Sequence, residues 1–466
     1  MKSQSNRANL RIPAVGLFLL LSTISVSQTI SLSRSVGPPT SRIRVSGTGF
    51  TANARVGVFF DLTKIATVAA DSSGTFSTGS IRVPASALPG RHRVIARTPS
   101  DSARTIFLVR TDWTQYCFSP KHTGLNPYEN VLRPANVHDL VLGWSYEISN
   151  PTSPLVVNGV IYVVSLDASL YAFNATTGAL LWKSSSFGGF VYTSSPAVIN
   201  GVVYVGNGWN NNFYALDASN GSVLWSYPTG GRIDSAPAVV DGVVYFGSYD
   251  NNLYALDAHT GALLWKYKGD VNGFTASSPA VADGIVYIAA EYLYAVDARS
   301  GTLLWTYFTG SDDASSPAVA DGIVYVGSAQ GVYALTADKG ELLWSYAGIG
   351  TNQSATVVAE GVLYIGTNDF NLYAIDAKTG ELKWMFPTRG SVFSPPTIAH
   401  GVVYFGSDDG ALYALDISTG TLLWKYLTGG RIQGSSVVVD GSVYMTSDDG
   451  NIYSFRLPSS TASQKE

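Results

Sequence analysis

An all-β fold, in which an eight-bladed β-propeller follows a small β-sandwich, is what this sequence predicts, and three observations lead there. Tryptophans stand at Trp144, Trp182, Trp225, Trp265, Trp305, Trp344, Trp384 and Trp424, a spacing of 38 to 43 residues. That is the length of one four-stranded propeller blade. Within each period the text reads as four short strands, typified by "SPAV", "GVVYVGS", "LYALDA" and "LLWxY", parted by turns rich in Gly, Asp and Asn. The ends are complementary: the last unit stops at "NIYSFRL" without a Trp strand, while "LVLGWSYEI" around Trp144 is a Trp strand with no unit before it. The Trp144 strand is therefore expected to complete the last blade and close the ring, which removes the two free sheet edges that an open array would expose to aggregation.

Composition agrees with a packed β protein: 47 Gly, 27 Tyr and only 13% charged residues, against about 25% in an average globular domain. A net charge of −4 argues against nucleic acid as a partner.

In chain order, residues 1–27 begin basic, run apolar from Ala14 to Val26, and end in small residues before Gln28. The apolar run is shorter than the ~20 residues of a membrane span, so a cleaved secretory signal is expected, with no span. Cys117 is the single cysteine, so neither an intrachain disulfide nor a lipidated cysteine near the signal can form. The product is expected in the periplasm or outside the cell, not as a lipoprotein.

Residues 28–110 carry about seven short alternating strands with turns such as "GPP", "DSSG" and "LPG", the pattern of a small sandwich. The segment resembles the immunoglobulin-like or IPT-type modules of exported bacterial proteins. Residues 111–138 read as a linker, in which Trp113, Cys117 and His122 are expected to pack a junction and not to do chemistry. The propeller is assigned to 139–457, and 458–466 to a disordered tail.

The repeated stretch "LYALDAHTGALLWKY" is a frame. Its Asp, exemplified by Asp257, accepts hydrogen bonds from turn amides, its Gly supplies positive φ, and its Trp is expected to bury a large ring between blades. A residue present in every blade cannot mark one site.

"APAVVDGVVYFGSYDNNLYALDAHTGALLWKY" resembles the PQQ-type repeat, and the likeness covers over two thirds of the chain. The resemblance implies an eight-bladed propeller. It does not imply one function, because the repeat is shared by quinoprotein dehydrogenases, which hold pyrroloquinoline quinone on the propeller axis, and by the propeller lipoprotein of bacterial outer-membrane protein assembly, a binding scaffold.

Function is then expected where the copies disagree, in the turns between the second and third strands and the connections from each outer strand to the next inner one. These supply Phe190 and Tyr192, Arg232 and Asp234, Asp270, Asn272 and Phe274, Asp312 and Asp313, Asn352 and Gln353, Arg389 and Phe393, and Arg431 and Gln433. Such a ring suits an acidic small molecule or a peptide loop, with the arginines as planar donors, or else charges that pair among themselves. The turn "GNGWNNN" is one residue longer than its counterparts and presents Trp209, a candidate aromatic anchor.

Two function classes follow. A quinoprotein dehydrogenase would need PQQ and Ca²⁺; the resemblance implies an adjacent cysteine pair and long covering insertions, and this chain has one cysteine and regular blades. A non-catalytic scaffold, with no cofactor and no metal, needs only a rigid disc with a variable face. The second is the expectation: a monomer whose partner is an envelope or extracellular protein, or a polysaccharide, met by Trp209, Arg232, Asp234, Asp312, Arg389 and Arg431.

Overall fold

The computed structural model describes residues 27–186, 188, 194–269, 274, 277–310, 315–349 and 354–458. The expected signal up to residue 26 and the tail from 459 lie outside the described residues. Contact clustering divides the chain into two compact units.

The first unit comprises residues 27–35, Arg42–Arg82 and His92–Phe107. Strand Arg55–Phe60 alternates, burying Val56, Val58 and Phe60 on one face, as the two-residue period of a half-buried strand requires. It pairs antiparallel with Thr63–Ala69 on one side and Gly90–Arg97 on the other. A second sheet joins Thr29–Leu32, Val45–Thr48 and Phe76–Ser77. The rings of Phe50 and Phe76 meet edge to face at 5.1 Å within the core. The "DSSG" turn is tied by Asp71, whose Oδ1 accepts the amides of Ser73 and Thr75 at 2.8 and 2.9 Å.

The second unit is an eight-bladed propeller. One blade shows the plan: strands Ala238–Val240, Val243–Gly247, Asn252–Asp257 and Leu263–Lys268, here named A to D from the axis outward, pair antiparallel in that order. Blades 1 to 7 repeat this arrangement in sequence order. In blade 8, strands Val437–Val439, Ser442–Ser447 and Asn451–Arg456 are completed by Val141–Glu147, which pairs with Asn451–Arg456 over Val141↔Arg456 to Glu147↔Asn451. The predicted closure by strands from opposite ends of the repeat array is what forms.

Neighbouring blades are joined by shared carbonyl groups. The Tyr245 hydroxyl and the Trp265 indole N–H both donate to the carbonyl oxygen of Ala298 in the next blade, each at 3.0 Å. Tyr204 with Trp225, Tyr287 with Trp305, and Tyr325 with Trp344 repeat the pattern on Ala258, Ala337 and Ala377. Each neutral bond adds about 1 kcal/mol net. Tyr364 and Tyr404 break the series, for their buried hydroxyls have no partner.

Asp257 Oδ1 accepts the amides of His259 and Thr260 at 3.1 and 2.7 Å. Gly261 in the same turn has φ +73°, and a Cβ there would lie 2.7 Å from the Trp225 ring of the preceding blade. The glycine is thus required twice, for its dihedral and for the close approach of the indole. The blade tryptophans themselves are half-buried and not enclosed as the sequence suggested. Strand D is the outer edge of the disc, so one face of each ring stays open to solvent.

The segment read as a linker lies inside this unit, along the inner strands. Trp113 exchanges two backbone hydrogen bonds with Val156 of blade 1, and Thr114 accepts the amide of Val198 in blade 2. The Gln115 side chain takes both the amide and the carbonyl of Val239 in blade 3, at 2.7 and 3.2 Å. Pro120, Lys121 and Gly124 accept the amides of Val281, Val319 and Ile398 in blades 4, 5 and 7, and Asn126 donates to Val438 of blade 8. An inner strand has no sheet neighbour toward the axis, and unpaired backbone groups there are costly when buried. The segment pairs them, and Trp113, Cys117 and His122 are buried in consequence.

Candidate binding face

The B–C turns and the D-to-A connections share one face of the propeller. Several of these turns are braced by a single acidic or amide side chain. Asp250 accepts the Tyr254 hydroxyl at 2.6 Å and the Gly230 amide of the adjacent connection at 2.7 Å. Asp409 and Asp449 do the same with Tyr413 and Tyr453 and with the amides of Arg389 and Gly429. The "DDG" carboxylates are therefore occupied by the fold. Among the described residues no three His, Cys, Asp or Glu side chains gather into a metal-binding group.

One position before the brace, the blades diverge. Blade 2 places Trp209 there, with its side chain 63% exposed. The buried Asn207 fixes that loop by accepting the amides of Trp209 and Asn210 at 2.8 and 3.1 Å, and Asn210 donates to the Tyr214 hydroxyl at 2.8 Å. The indole is presented on an ordered support. Blade 3 has Tyr249 at this position, and Arg232 lies over its ring with the guanidinium 3.9 Å from the centroid.

Arg232 also pairs with Asp234 at 3.1 Å. Burial pushes the Asp234 carboxyl up to about 6 against the opposing pull of Arg232, and its Oδ1 has no hydrogen-bond partner. Arg431 pairs with Asp448 at 3.0 Å, and Gln433 donates to Asp408 at 2.9 Å. Arg389 is exposed. Of the ring expected from sequence, Arg232 and Asp234 come together, Arg431 finds a turn acid, and Arg389 stands apart. Asp312, with Asp313, Phe190, Tyr192, Asp270, Asn272, Asn352 and Gln353, lies outside the described residues.

Sequence reasoning missed Phe370. It occupies the turn slot that blades 7 and 8 fill with Gly410 and Gly450, holds φ +71°, and is 48% exposed. A bulky residue in the left-handed region stores about 1–3 kcal/mol of strain and is a pointer to function. The signal was present, a phenylalanine where the copies carry glycine. Blades 2 and 6 are four apart in a ring of eight, so Trp209 and Phe370 stand on opposite sides of the same face.

A family model described as outer membrane protein assembly factor BamB, built on the PQQ-type repeat, matches residues 96–207, 166–290, 271–356 and 347–462. The chain belongs to this family. Among PQQ-repeat relatives, a quinohemoprotein alcohol dehydrogenase of Comamonas testosteroni is 30% identical over 172 residues, which span 33% of this chain and 24% of that protein. BamB of Yersinia pestis is 30% identical over 151 residues, 28% of this chain and 37% of that protein. The chain thus aligns with well under half the length of either relative. A europium-containing methanol dehydrogenase superposes with a TM-score of 0.66 at 16% identity, over 74% of this chain and 98% of that one, which speaks for the fold.

A quinone cofactor with calcium would need a set of hard oxygen ligands beside the axis. The described residues of this face do not fit that need, since Asp250, Asp409 and Asp449 are held by tyrosines and turn amides and Asp234 by Arg232.

Proposed function

We propose that this chain is an exported, non-catalytic propeller that binds an envelope or extracellular protein, or a surface polymer, through its B–C face. The observation that carries the reading is the pair of exposed aromatic side chains, Trp209 and Phe370, raised from ordered turns on opposite sides of one face. Large exposed aromatics surrounded by polar side chains are the usual anchors of recognition surfaces, and Phe370 holds a left-handed backbone where blades 7 and 8 carry glycine. Arg232 on Tyr249 and the exposed Arg389 add planar donors for carboxylates around them. The name of the matched family, an assembly factor, agrees with a binding role. A periplasmic or extracellular monomer, with the N-terminal unit as an immunoglobulin-like spacer, completes the proposal.

The test has two arms. Purified protein is titrated calorimetrically with PQQ and Ca²⁺ and assayed for dye reduction on alcohols and sugars; no saturable heat and no turnover are expected. The same protein is titrated with an unfolded outer-membrane β-barrel peptide and with envelope polysaccharide, and Trp209→Ala and Phe370→Gly are expected to weaken whichever binds. Binding unchanged in both variants would sink the aromatic-anchor reading. PQQ-dependent turnover would replace it with the second reading, a quinoprotein dehydrogenase, which the alcohol dehydrogenase relatives favour.

A further inference from the structure

At the seam where the last blade meets the first, the framework changes its chemistry. The second strand begins with Val243 in blade 3 and Val402 in blade 7, but with Ser442 in blade 8. Opposite the framework tyrosine, Ala255 and Ala414 become Ser454, and the turn acids Asp257 and Asp416 become Arg456. All three substitutions line one cavity of about 270 Å³, together with Arg110, Asp440, Tyr444 and the Val156, Ala175 and Val439 wall. That is just below the ~300 Å³ at which small-molecule sites begin. The aspartate is dispensable here, because the third strand of blade 8 leads into no C–D turn, but the blade plan does not call for the two hydroxyls or the arginine.

The charges decide the ligand. Arg110 is committed, with Nε 3.1 Å from Asp112 and Nη2 donating to Asn158. The Arg456 guanidinium has no ion pair or side-chain hydrogen bond among the described residues, and it reaches the cavity from an exposed strand end. Asp440 accepts the Thr111 amide at 2.9 Å and faces the same space. A cation without an ion pair, two hydroxyls and an apolar wall match a single carboxylate on a short carbon chain; a dianion would be opposed by Asp440 and Asp112.

We propose that this seam cavity binds a short monocarboxylic acid, with Arg456 holding the carboxylate and the apolar wall taking the chain. The site is separate from the B–C face and does not rest on its function. Burial raises the Asp440 carboxyl to about 7, with Glu129 and Asp112 adding to the rise and Arg110 opposing it; Tyr444 and Arg456 also face it. Below that pH Asp440 is neutral and its repulsion of the ligand is gone, so affinity rises as pH falls through about 7.

The test is calorimetric titration of the full chain with sodium butyrate and sodium lactate, with inorganic phosphate and chloride at matched ionic strength. Saturable binding of one carboxylate is expected, weakened at least ~10-fold by Arg456→Gln and less by Arg456→Lys, with the melting temperature of both variants unchanged because the side chain is exposed. Asp440→Asn should keep binding and lose its pH dependence. No saturation by either carboxylate up to ~10 mM, tighter binding of phosphate, an unaltered affinity in Arg456→Gln, or a pH dependence that survives Asp440→Asn overturns the assignment.

Discussion

Trp144 and Tyr444, which enter the propeller from opposite ends of its repeat array, both donate to the carbonyl oxygen of Ala175 at 3.1 Å. The last joint of the ring therefore uses the same two bonds as the joints from blade 2 through blade 6. In these two bonds closure matches continuation.

Because the blade indoles are half-buried, Trp305→Ala should cost about 2–3 kcal/mol, below the ~3–5 kcal/mol of an enclosed aromatic. Trp305→Phe, which loses the bond to Ala337 and only part of the ring, should cost less, about 1–2 kcal/mol. Thermal melts of the two variants check the order; equal losses would mean that packing contributes nothing beyond the bond.

Tyrosine-to-phenylalanine changes should divide by blade. Tyr325→Phe removes a bond to Ala377 and is expected to destabilise by about 1 kcal/mol, whereas Tyr364→Phe deletes a buried hydroxyl without a partner and should be neutral or stabilising. A matched loss in both would show that the Tyr364 hydroxyl finds a partner in solution.

Phe370→Gly should raise the melting temperature while weakening ligand capture, since glycine accepts φ +71° without strain. A lower melting temperature would mean that the ring packs against the face and is no anchor.

Asp234 and Asp440 both have carboxyl groups raised by burial, to about 6 and about 7. The native state then holds protons that the unfolded chain has released, so their contribution is full below the ordinary carboxylate range and is lost as pH rises through 6 to 7. Melts at pH 5 and pH 8 should show higher stability at pH 5, and the difference should shrink in Asp440→Asn.

Cys117 is buried and its thiol is pushed up by desolvation. It should resist a thiol reagent in the native protein and react on unfolding. Rapid native labelling would mean that the segment carrying it opens readily.

Periodicity made the blades legible, and the mismatch of the two ends made the closure legible, because both are counted along the chain. The asparagine, aspartate and glycine turns were equally open to reading. Residues 111–126 were not: Gln115 and Asn126 act through one or two side-chain hydrogen bonds to strands up to 312 residues away, and nothing in "TDWTQYCFSPKHTGLN" is periodic. Phe370 and the three exchanges at Ser442, Ser454 and Arg456 were visible as departures from the repeat. Their meaning needed the fold, which shows that one strains its backbone and the others face one cavity.

Residues 113 to 126 are a ruler. Laid once along the inner strands, this stretch offers successive bonding groups to blades 1 to 5 and then to 7 and 8, so its length is matched to a circle of one size. Duplication of a blade is the cheapest change a repeat gene can suffer, and in an array without such a measure a ninth copy need only widen the ring. Here it would pull every later contact of the segment out of step. The segment fixes the number of repeats, and lengthening it would have to accompany any growth of the ring.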